Sequence, residues 1–222
     1  MKHVTTSFFG PFGQAWKTRS WKFQSLFTAL SIAVILAILT RFLDAIEGRS
    51  GVVLADPVLH LFPPVDLTWV TFLIIYSCVL TCVFTLIRSP QHLLLALQAY
   101  GAMVVFRMVA MAITPLDPPP DMLALKDPFV EFFGTGRTLT RDLFFSGHTA
   151  TIFVLSLVSP YRFAKRMYAL STALVAICVL LQHVHYTVDV LAAPFFAYGS
   201  VQLVHWVRAM VGLPVPSSSS SE

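Results

Sequence analysis

Length, composition and charge place this chain in a membrane and exclude an ordinary soluble domain. Hydrophobic residues make up 56% of its 222 residues and charged residues only 12%, and the mean hydropathy is +0.75. The formal net charge of +4 comes from cations that flank apolar segments, so we interpret it as membrane topology and expect no nucleic-acid binding. The three cysteines lie inside apolar segments, which predicts core packing rather than disulfides.

Six apolar segments predict an all-α integral membrane protein with a six-transmembrane-helix bundle. Even the segments with polar groups, 143–161 and 167–185, cover most of the ~30 Å hydrocarbon core of a bilayer, because a helix rises about 1.5 Å per residue. The predicted helices are 25–43, 67–87, 92–113, 143–161, 167–185 and 189–211. They form one catalytic domain, 25–212, between an aromatic and basic interfacial segment, 1–24, and a disordered Pro- and Ser-rich tail, 213–222.

The charges between these segments predict that both termini are cytoplasmic. In that orientation the inner side has nine cations and Glu222 as its only acid, whereas the outer side has all the other acids. The nine inner cations are Lys2, Lys17, Arg19, Lys22, Arg88, Arg162, Lys165, Arg166 and Arg208. The same orientation places His148, His185 and Asp189 together at the exoplasmic face, which is periplasmic or lumenal.

Two polar motifs interrupt the apolar pattern and suggest the chemistry. The first, Ser146 to Thr149, reads Ser-Gly-His-Thr and opens the fourth predicted helix. In the second, His185 precedes Asp189 by four residues, so we expect both side chains on one helical face, where the carboxylate orients the imidazole. Two imidazoles and a carboxylate suffice for nucleophilic phosphoryl transfer. His185 would attack phosphorus, and His148 would protonate the leaving alkoxide and then deprotonate the incoming alcohol or water.

The amino termini of two helices, which carry Ser146, Gly147 and Tyr186, are predicted to bind the substrate phosphate through free N–H groups. Arg107 lies about six residues before the outer end of the third predicted helix, where an arginine must be paired or face water. It is either a structural ion pair with Asp44 or Asp142 or a phosphate clamp, and we take it as a phosphate-binding candidate.

Other polar residues receive supporting or structural interpretations. The supporting residues are Asp142, Thr149 and His183. The acids of the loop 44–66 lack ligand spacing, so we predict a solvated loop and no metal. The long connection 114–142, with three phenylalanines and two glycines in its second half, is either a lid over the site or a simple tether.

The two motifs resemble the signature motifs of the sphingomyelin synthase family, within the larger superfamily of lipid phosphatases and phosphotransferases. The resemblance is carried by Asp142, Ser146 to Thr149 and His183 to Val190, and it spans residues 100 to 205. Arg107, Met111, Thr114, Leu116 and Pro119 are similar in spacing to a third segment of that family. The chain departs from the family at Asp117, where proline is usual, and at Thr140-Arg141, where the family has Cys-Gly.

The resemblance implies a catalytic triad of His148, His185 and Asp189 that works without a cofactor or metal. It implies transfer of phosphocholine or phosphoethanolamine from phosphatidylcholine or phosphatidylethanolamine to ceramide or diacylglycerol, through a phosphohistidine. The alternative is a phospholipase C-like or type 2 phosphatidic acid phosphatase hydrolase with the same triad. That branch adds a Lys, six residues, then Arg-Pro, and an Arg before the second histidine, and this chain has neither.

Two further alternatives come from other functional classes. A non-catalytic scaffold or transporter would keep the bundle without using the triad, and a haem protein would use His183, His185 or His205. Homo-oligomerisation is left open by the sequence.

Overall fold

The computed structural model describes residues 10–126 and 139–216. The phenylalanines and glycines of the predicted lid, and most of the predicted disordered tail, lie outside these ranges. Within them the chain is helical, apart from connecting segments, one short 3₁₀ turn at Leu59–Leu61 and one isolated bridge between Val52 and Leu116.

Seven α-helices are present in the described ranges. They are α1 Gly10–Lys17, α2 Arg19–Glu47, α3 Thr68–Leu86, α4 Pro90–Ile113, α5 Gly147–Val158, α6 Arg162–Leu181 and α7 Thr187–Met210. Five of them, α2, α3, α4, α6 and α7, are long and apolar enough to cross a membrane. This length and apolarity indicate a multi-pass membrane protein.

The fourth predicted helix, 143–161, is shorter in the structure than the sequence suggested. Only the 12 residues Gly147–Val158 are helical, which is about 18 Å of helix and less than a bilayer core. The apolar residues before Ser146 form an irregular approach, and Ser146 caps the helix by accepting the Thr149 N–H. At the other end Pro160 restricts Ser159 to an extended conformation.

Other boundaries also differ from the prediction. Helix α2 begins at Arg19 rather than at residue 25, so the predicted interfacial segment contributes its last residues to the first long helix. Helix α6 covers Arg162–Leu181 rather than 167–185. The residues that follow Leu181 form the turn that carries the second motif, and α7 starts at Thr187.

Helix α5 lies at the centre of the bundle and packs against α3, α4, α6 and α7. Its residues Ala150, Ile152 and Val154 are almost completely buried. Helix α2 packs on the outside of α4 and buries only four side chains. The short α5 is therefore enclosed by longer helices, and its amino terminus opens at one end of the bundle.

The segments at this end, 48–67, 114–126, 139–146 and 182–186, are joined by long-range hydrogen bonds, and we call them the site-end loops. Glu47 accepts hydrogen bonds from the backbone N–H groups of Thr140 and Arg141, at 3.0 and 3.1 Å. Arg141 forms an ion pair with Asp117 at 2.7 Å, and Arg49 donates to two carbonyls in the last turn of α4. Glu47 is one of the acids of the loop 44–66 that were predicted to be solvated, and in the structure it holds the site-end loop 139–146 to the end of α2.

Candidate active site

His185 and Asp189 form a direct pair at the start of α7. His185 Nδ1 lies 3.1 Å from Asp189 Oδ2, and the backbone N–H of Tyr186 donates to the same oxygen at 3.2 Å. His185 sits in the turn before the helix, and Asp189 is its third residue. The expected contact is present, but it is built by the cap of a helix and not by one helical face, because α6 ends at Leu181 and His183 turns the chain with a φ of 55°.

This pairing defines the nitrogen of His185 that is available for chemistry. An Nδ1–H that donates to Asp189 leaves the lone pair of Nε2 free. His185 is 1% exposed and Asp189 is fully buried. Asp189 Oδ1 has no hydrogen-bond partner among the described residues. A buried carboxylate held this way fixes the ring and stabilises an imidazolium, as a nucleophilic histidine requires.

His148 faces this pair from the amino terminus of α5. Its ring centroid lies 6.4 Å from that of His185, and it also packs edge to face against Phe72 at 5.9 Å. The Ser146 N–H donates to the Asp189 carbonyl at 3.1 Å, so one backbone hydrogen bond joins the two motifs. The structure thus brings His148, His185 and Asp189 together, although they are about forty residues apart in sequence.

Arg107 lies beneath the first motif and is paired with Asp142. Its Nη2 is 2.6 Å from Asp142 Oδ1, and it also donates to the carbonyls of Phe145 at 2.9 Å and Asp142 at 3.2 Å. Of the two ion pairs that the sequence left open, the structure contains the one with Asp142. Arg107 therefore clamps the segment that leads into α5, and the residue is buried, with an exposure of 6%.

The charge of Asp142 is stabilised in this arrangement. Burial raises the pKa of the Asp142 carboxyl, but the charge and hydrogen bonds of Arg107, together with the charges of His185 and His148, outweigh it and hold the pKa below its ordinary value. Asp142 is therefore ionised in the folded protein and supports both histidines electrostatically.

Gly147 is the point where α5 approaches Arg107. A Cβ at this position would overlap the Arg107 guanidinium. The side chain of Ser146 accepts hydrogen bonds from the N–H and hydroxyl groups of Thr149, at 3.4 and 3.1 Å. The Ser-Gly-His-Thr motif thus combines a helix cap, a residue without a side chain above an arginine, and an imidazole.

The Tyr186 side chain is bound to distant segments of the chain, while its backbone N–H donates to Asp189. Its hydroxyl donates to the Asp117 carbonyl at 2.8 Å and accepts from the Leu54 N–H at 3.2 Å. Tyr186 is 1% exposed, so its side chain connects the site-end loops to α7. His183, predicted to be a supporting residue, lies at the junction between α6 and α7 and packs edge to face with Phe62.

Asp56 lies in the site-end loops and makes a contact with α7 that the sequence did not indicate. Its carboxylate accepts from the Thr187 N–H at 2.6 Å and from the Thr187 hydroxyl at 3.0 Å. Burial raises the pKa of Asp56, but these bonds and that from Val58 outweigh it and lower the pKa. Asp56 thus caps α7 just beside the catalytic pair. No local signal could have revealed this, because the two residues are 131 positions apart.

The assembled groups suit phosphoryl-group chemistry in general. The site contains two imidazoles, an oriented carboxylate, an arginine and the amino termini of α5 and α7. In the described ranges no group of three or more His, Cys, Asp or Glu side chains could hold a metal ion.

Comparison with known families agrees with this geometry. Residues 141–208 match a family model described as the PAP2 superfamily C-terminal domain, and this range contains both motifs. The match supports the type 2 phosphatidic acid phosphatase-like superfamily, whose members are typically lipid phosphatases or phosphotransferases. No curated protein matches the chain.

Proposed function

We propose that this protein transfers a phosphocholine or phosphoethanolamine headgroup from a glycerophospholipid to a lipid alcohol, ceramide or diacylglycerol. The observation that carries the proposal is the arrangement of His148 opposite the His185–Asp189 pair. An attacking atom lies about 3–3.5 Å from its target before reaction, and an acid about 2.6–3.2 Å from the oxygen it protonates. The two imidazole rings border one common space, because their centroids lie 6.4 Å apart, so a phosphate group bound in that space would have an imidazole on either side.

The reaction would proceed in two displacements. His185 Nε2 attacks phosphorus, the bond from phosphorus to the diacylglycerol oxygen breaks, and His148 donates its proton to that oxygen. His148, now neutral, removes the proton of the acceptor hydroxyl, whose oxygen attacks the phosphohistidine and releases His185. Asp189 stabilises the positive imidazole ring in both steps.

The charge of the site favours a phosphodiester donor. A phosphomonoester carries up to two negative charges, whereas a diester carries one, so a monoester site needs more cations. Here the charge of Arg107 is already offset by Asp142 at 2.6 Å, and Asp189 offsets His185 when the ring is protonated. The missing Arg-Pro pair and the missing arginine before His185 support the same preference.

A hydrolase with the same triad is the second candidate, since water in place of the lipid alcohol would complete the same two steps. The site-end loops form a continuous hydrogen-bonded layer near the site, which favours exclusion of water and hence transfer. The proposed exoplasmic location of the site follows from the positive-inside pattern of the sequence.

The test is a thin-layer assay with purified protein, fluorescent ceramide or diacylglycerol as acceptor and phosphatidylcholine or phosphatidylethanolamine as donor. We expect a new phosphorylated fluorescent lipid, and no loss of activity in EDTA because no step requires a metal. Release of a water-soluble phospho-headgroup, independent of acceptor, would instead establish the hydrolase. Activity that disappears in EDTA and returns with a divalent cation would contradict the metal-free mechanism.

A further inference from the structure

A groove opens between α2, α4 and α7 at the end of the bundle opposite the two histidines. Its volume is about 600 Å³, within the range of small-molecule sites in proteins. Apolar side chains, among them Phe27, Ile35 and Leu203, line most of its length. Polar side chains line the end that lies near the last turn of α7, and Arg208 is one of them.

Arg208 is deeply buried at this end of the groove, with an exposure of 2%. Its Nε and Nη2 donate to the Pro214 carbonyl at 3.0 and 2.7 Å. Its Nη1 donates to the Gln98 side chain at 2.8 Å, and Nη2 also reaches Gln91 at 3.3 Å. Four of the five N–H groups of the guanidinium are used, and every acceptor is neutral.

The charge of Arg208 is therefore not neutralised within the part of the chain that the structure describes, where it forms no ion pair. Arg107 differs from Arg208 in this respect, because it is buried to a similar degree but forms an ion pair with Asp142 at 2.6 Å. A buried cation without a counter-charge is unfavourable in a membrane protein unless an anion or water reaches it. The groove that Arg208 lines gives such an anion access to the guanidinium.

We propose that this groove binds an anionic glycerophospholipid, whose phosphate pairs with Arg208 while one acyl chain lies along the apolar wall. The combination of a long apolar surface with a single buried cation at one end matches an amphiphile with a negatively charged head. The site is separate from the catalytic histidines and does not depend on the reaction they perform. Its lipid would belong to the leaflet opposite the active site.

Three variants separate this proposal from general lipid effects. Arg208→Gln removes the charge but retains hydrogen-bonding groups, and Val207→Trp narrows the groove at a position that is 44% exposed. Arg162→Gln is the control, since Arg162 is an exposed cation at the first residue of α6, at the same end of the bundle.

The experiment measures binding of phosphatidylglycerol and of phosphatidylcholine with the same acyl chains to each purified variant, by native mass spectrometry and by melting temperature in a neutral detergent. We expect wild type and Arg162→Gln to bind phosphatidylglycerol about tenfold more tightly than phosphatidylcholine, because the trimethylammonium group of the zwitterion offsets the phosphate charge that the unpaired cation attracts. Arg208→Gln and Val207→Trp should lose this preference. If Arg208→Gln does not fold, the lipid preference of Val207→Trp alone tests the proposal.

Two results would overturn the proposal. One is an unchanged preference for phosphatidylglycerol in Arg208→Gln or Val207→Trp. The other is a wild-type protein without any preference for phosphatidylglycerol. In that case a chain ended after Pro216 that loses as much melting temperature as Arg208→Gln would identify Glu222 as the counter-charge of Arg208.

Discussion

The chemistry of single residues depends on which nitrogen of His185 is free. The Asp189 carboxylate is paired with Nδ1 of His185, so in the proposed mechanism Nε2 is the nucleophile and Asp189 holds the ring and stabilises its charge. In the same mechanism His148 gives and takes a proton at the leaving and incoming oxygens. The three residues should therefore differ in how much activity their loss removes.

We predict that His185→Ala abolishes turnover completely and that His148→Ala and Asp189→Asn each lower kcat by about two to four orders of magnitude. The measurement is headgroup transfer by purified variants whose folding is confirmed by melting temperature. His60→Ala is the matched control, since His60 is an exposed histidine of the site-end loops. Substantial activity of His185→Ala would exclude a covalent intermediate on that residue.

Gly147→Ala is predicted to lower kcat at least about tenfold, because its new methyl group would displace the Arg107 guanidinium from its place below α5. Gly199→Ala is the control, since a Cβ there meets its nearest atom at an ordinary 3.8 Å. Both variants are compared by turnover and by thermal unfolding. Equal activity of the two would mean that Arg107 can shift without consequence for the reaction.

At this scale the sequence predicts short-range contacts well and long-range contacts poorly. His185 and Asp189 are close in sequence, so their spacing predicts their contact. The ion-pair partner of Arg107 was one of two open choices. The hydroxyl of Tyr186 is bound to Asp117 and Leu54, and such long-range partners leave no local pattern.

Among the elements, α7 depends most on a distant residue. Its first residue, Thr187, is held by Asp56 through two hydrogen bonds, and the His185–Asp189 pair lies beside it. We therefore expect this cap to position His185 and Asp189, in addition to stabilising the helix.

Asp56→Asn is predicted to lower stability by roughly 1 kcal/mol, as expected for loss of a helix cap, and to lower kcat with little change in KM. Chemical denaturation and steady-state kinetics measure the two effects. Asp121→Asn serves as control, because Asp121 is an exposed acid of the same loop layer. A loss of stability without any change in kcat would assign Asp56 a purely structural role.

Helix α5 shows why the element boundaries could not all be predicted. Leu143, Phe144 and Phe145 continue the apolar pattern of the helix, so hydropathy extends it to residue 143. The cap of Ser146 and the clamp of Arg107 on the Phe145 carbonyl stop the helix four residues later. The cap is a local contact, whereas the clamp is a tertiary one that acts against the local preference of the apolar residues.

For the whole molecule, the ion pairs of the site-end loops make stability depend on pH. Burial raises the pKa of Asp142 and Arg107 lowers it by more, whereas the hydrogen bond from Arg141 is the main cause of the lowered pKa of Asp117. A carboxyl whose pKa is lower in the folded state stabilises the fold above its ordinary pKa of 3.8. That contribution is lost as the pH falls through the folded-state value.

We therefore predict that the melting temperature of the wild-type protein falls as the pH is lowered below the ordinary carboxyl pKa of 3.8, and that the fall is smaller in Asp142→Asn. Thermal unfolding in detergent at a series of pH values measures it, with Asp121→Asn as the control. Identical pH profiles for wild type and Asp142→Asn would show that the Arg107–Asp142 pair does not stabilise the fold.

The general character of the fold was accessible from composition, since apolar segments of sufficient length define the helices. The structure contains five candidate spans in its described ranges, and the orientation in the membrane stays a prediction from the charges. The layer of site-end loops was not accessible, because Glu47 and Thr140 are 93 residues apart and their pairing depends on the packed bundle.

The most direct test of the central claim is to trap the phosphorus on the protein. Purified enzyme is mixed with a donor carrying ³²P in its headgroup, quenched in alkali within one turnover and digested. We predict a label on His185 that is stable in alkali and labile in acid, and that is absent from His185→Ala. An active enzyme that carries no such label, or the same label on His185→Ala, would contradict the account.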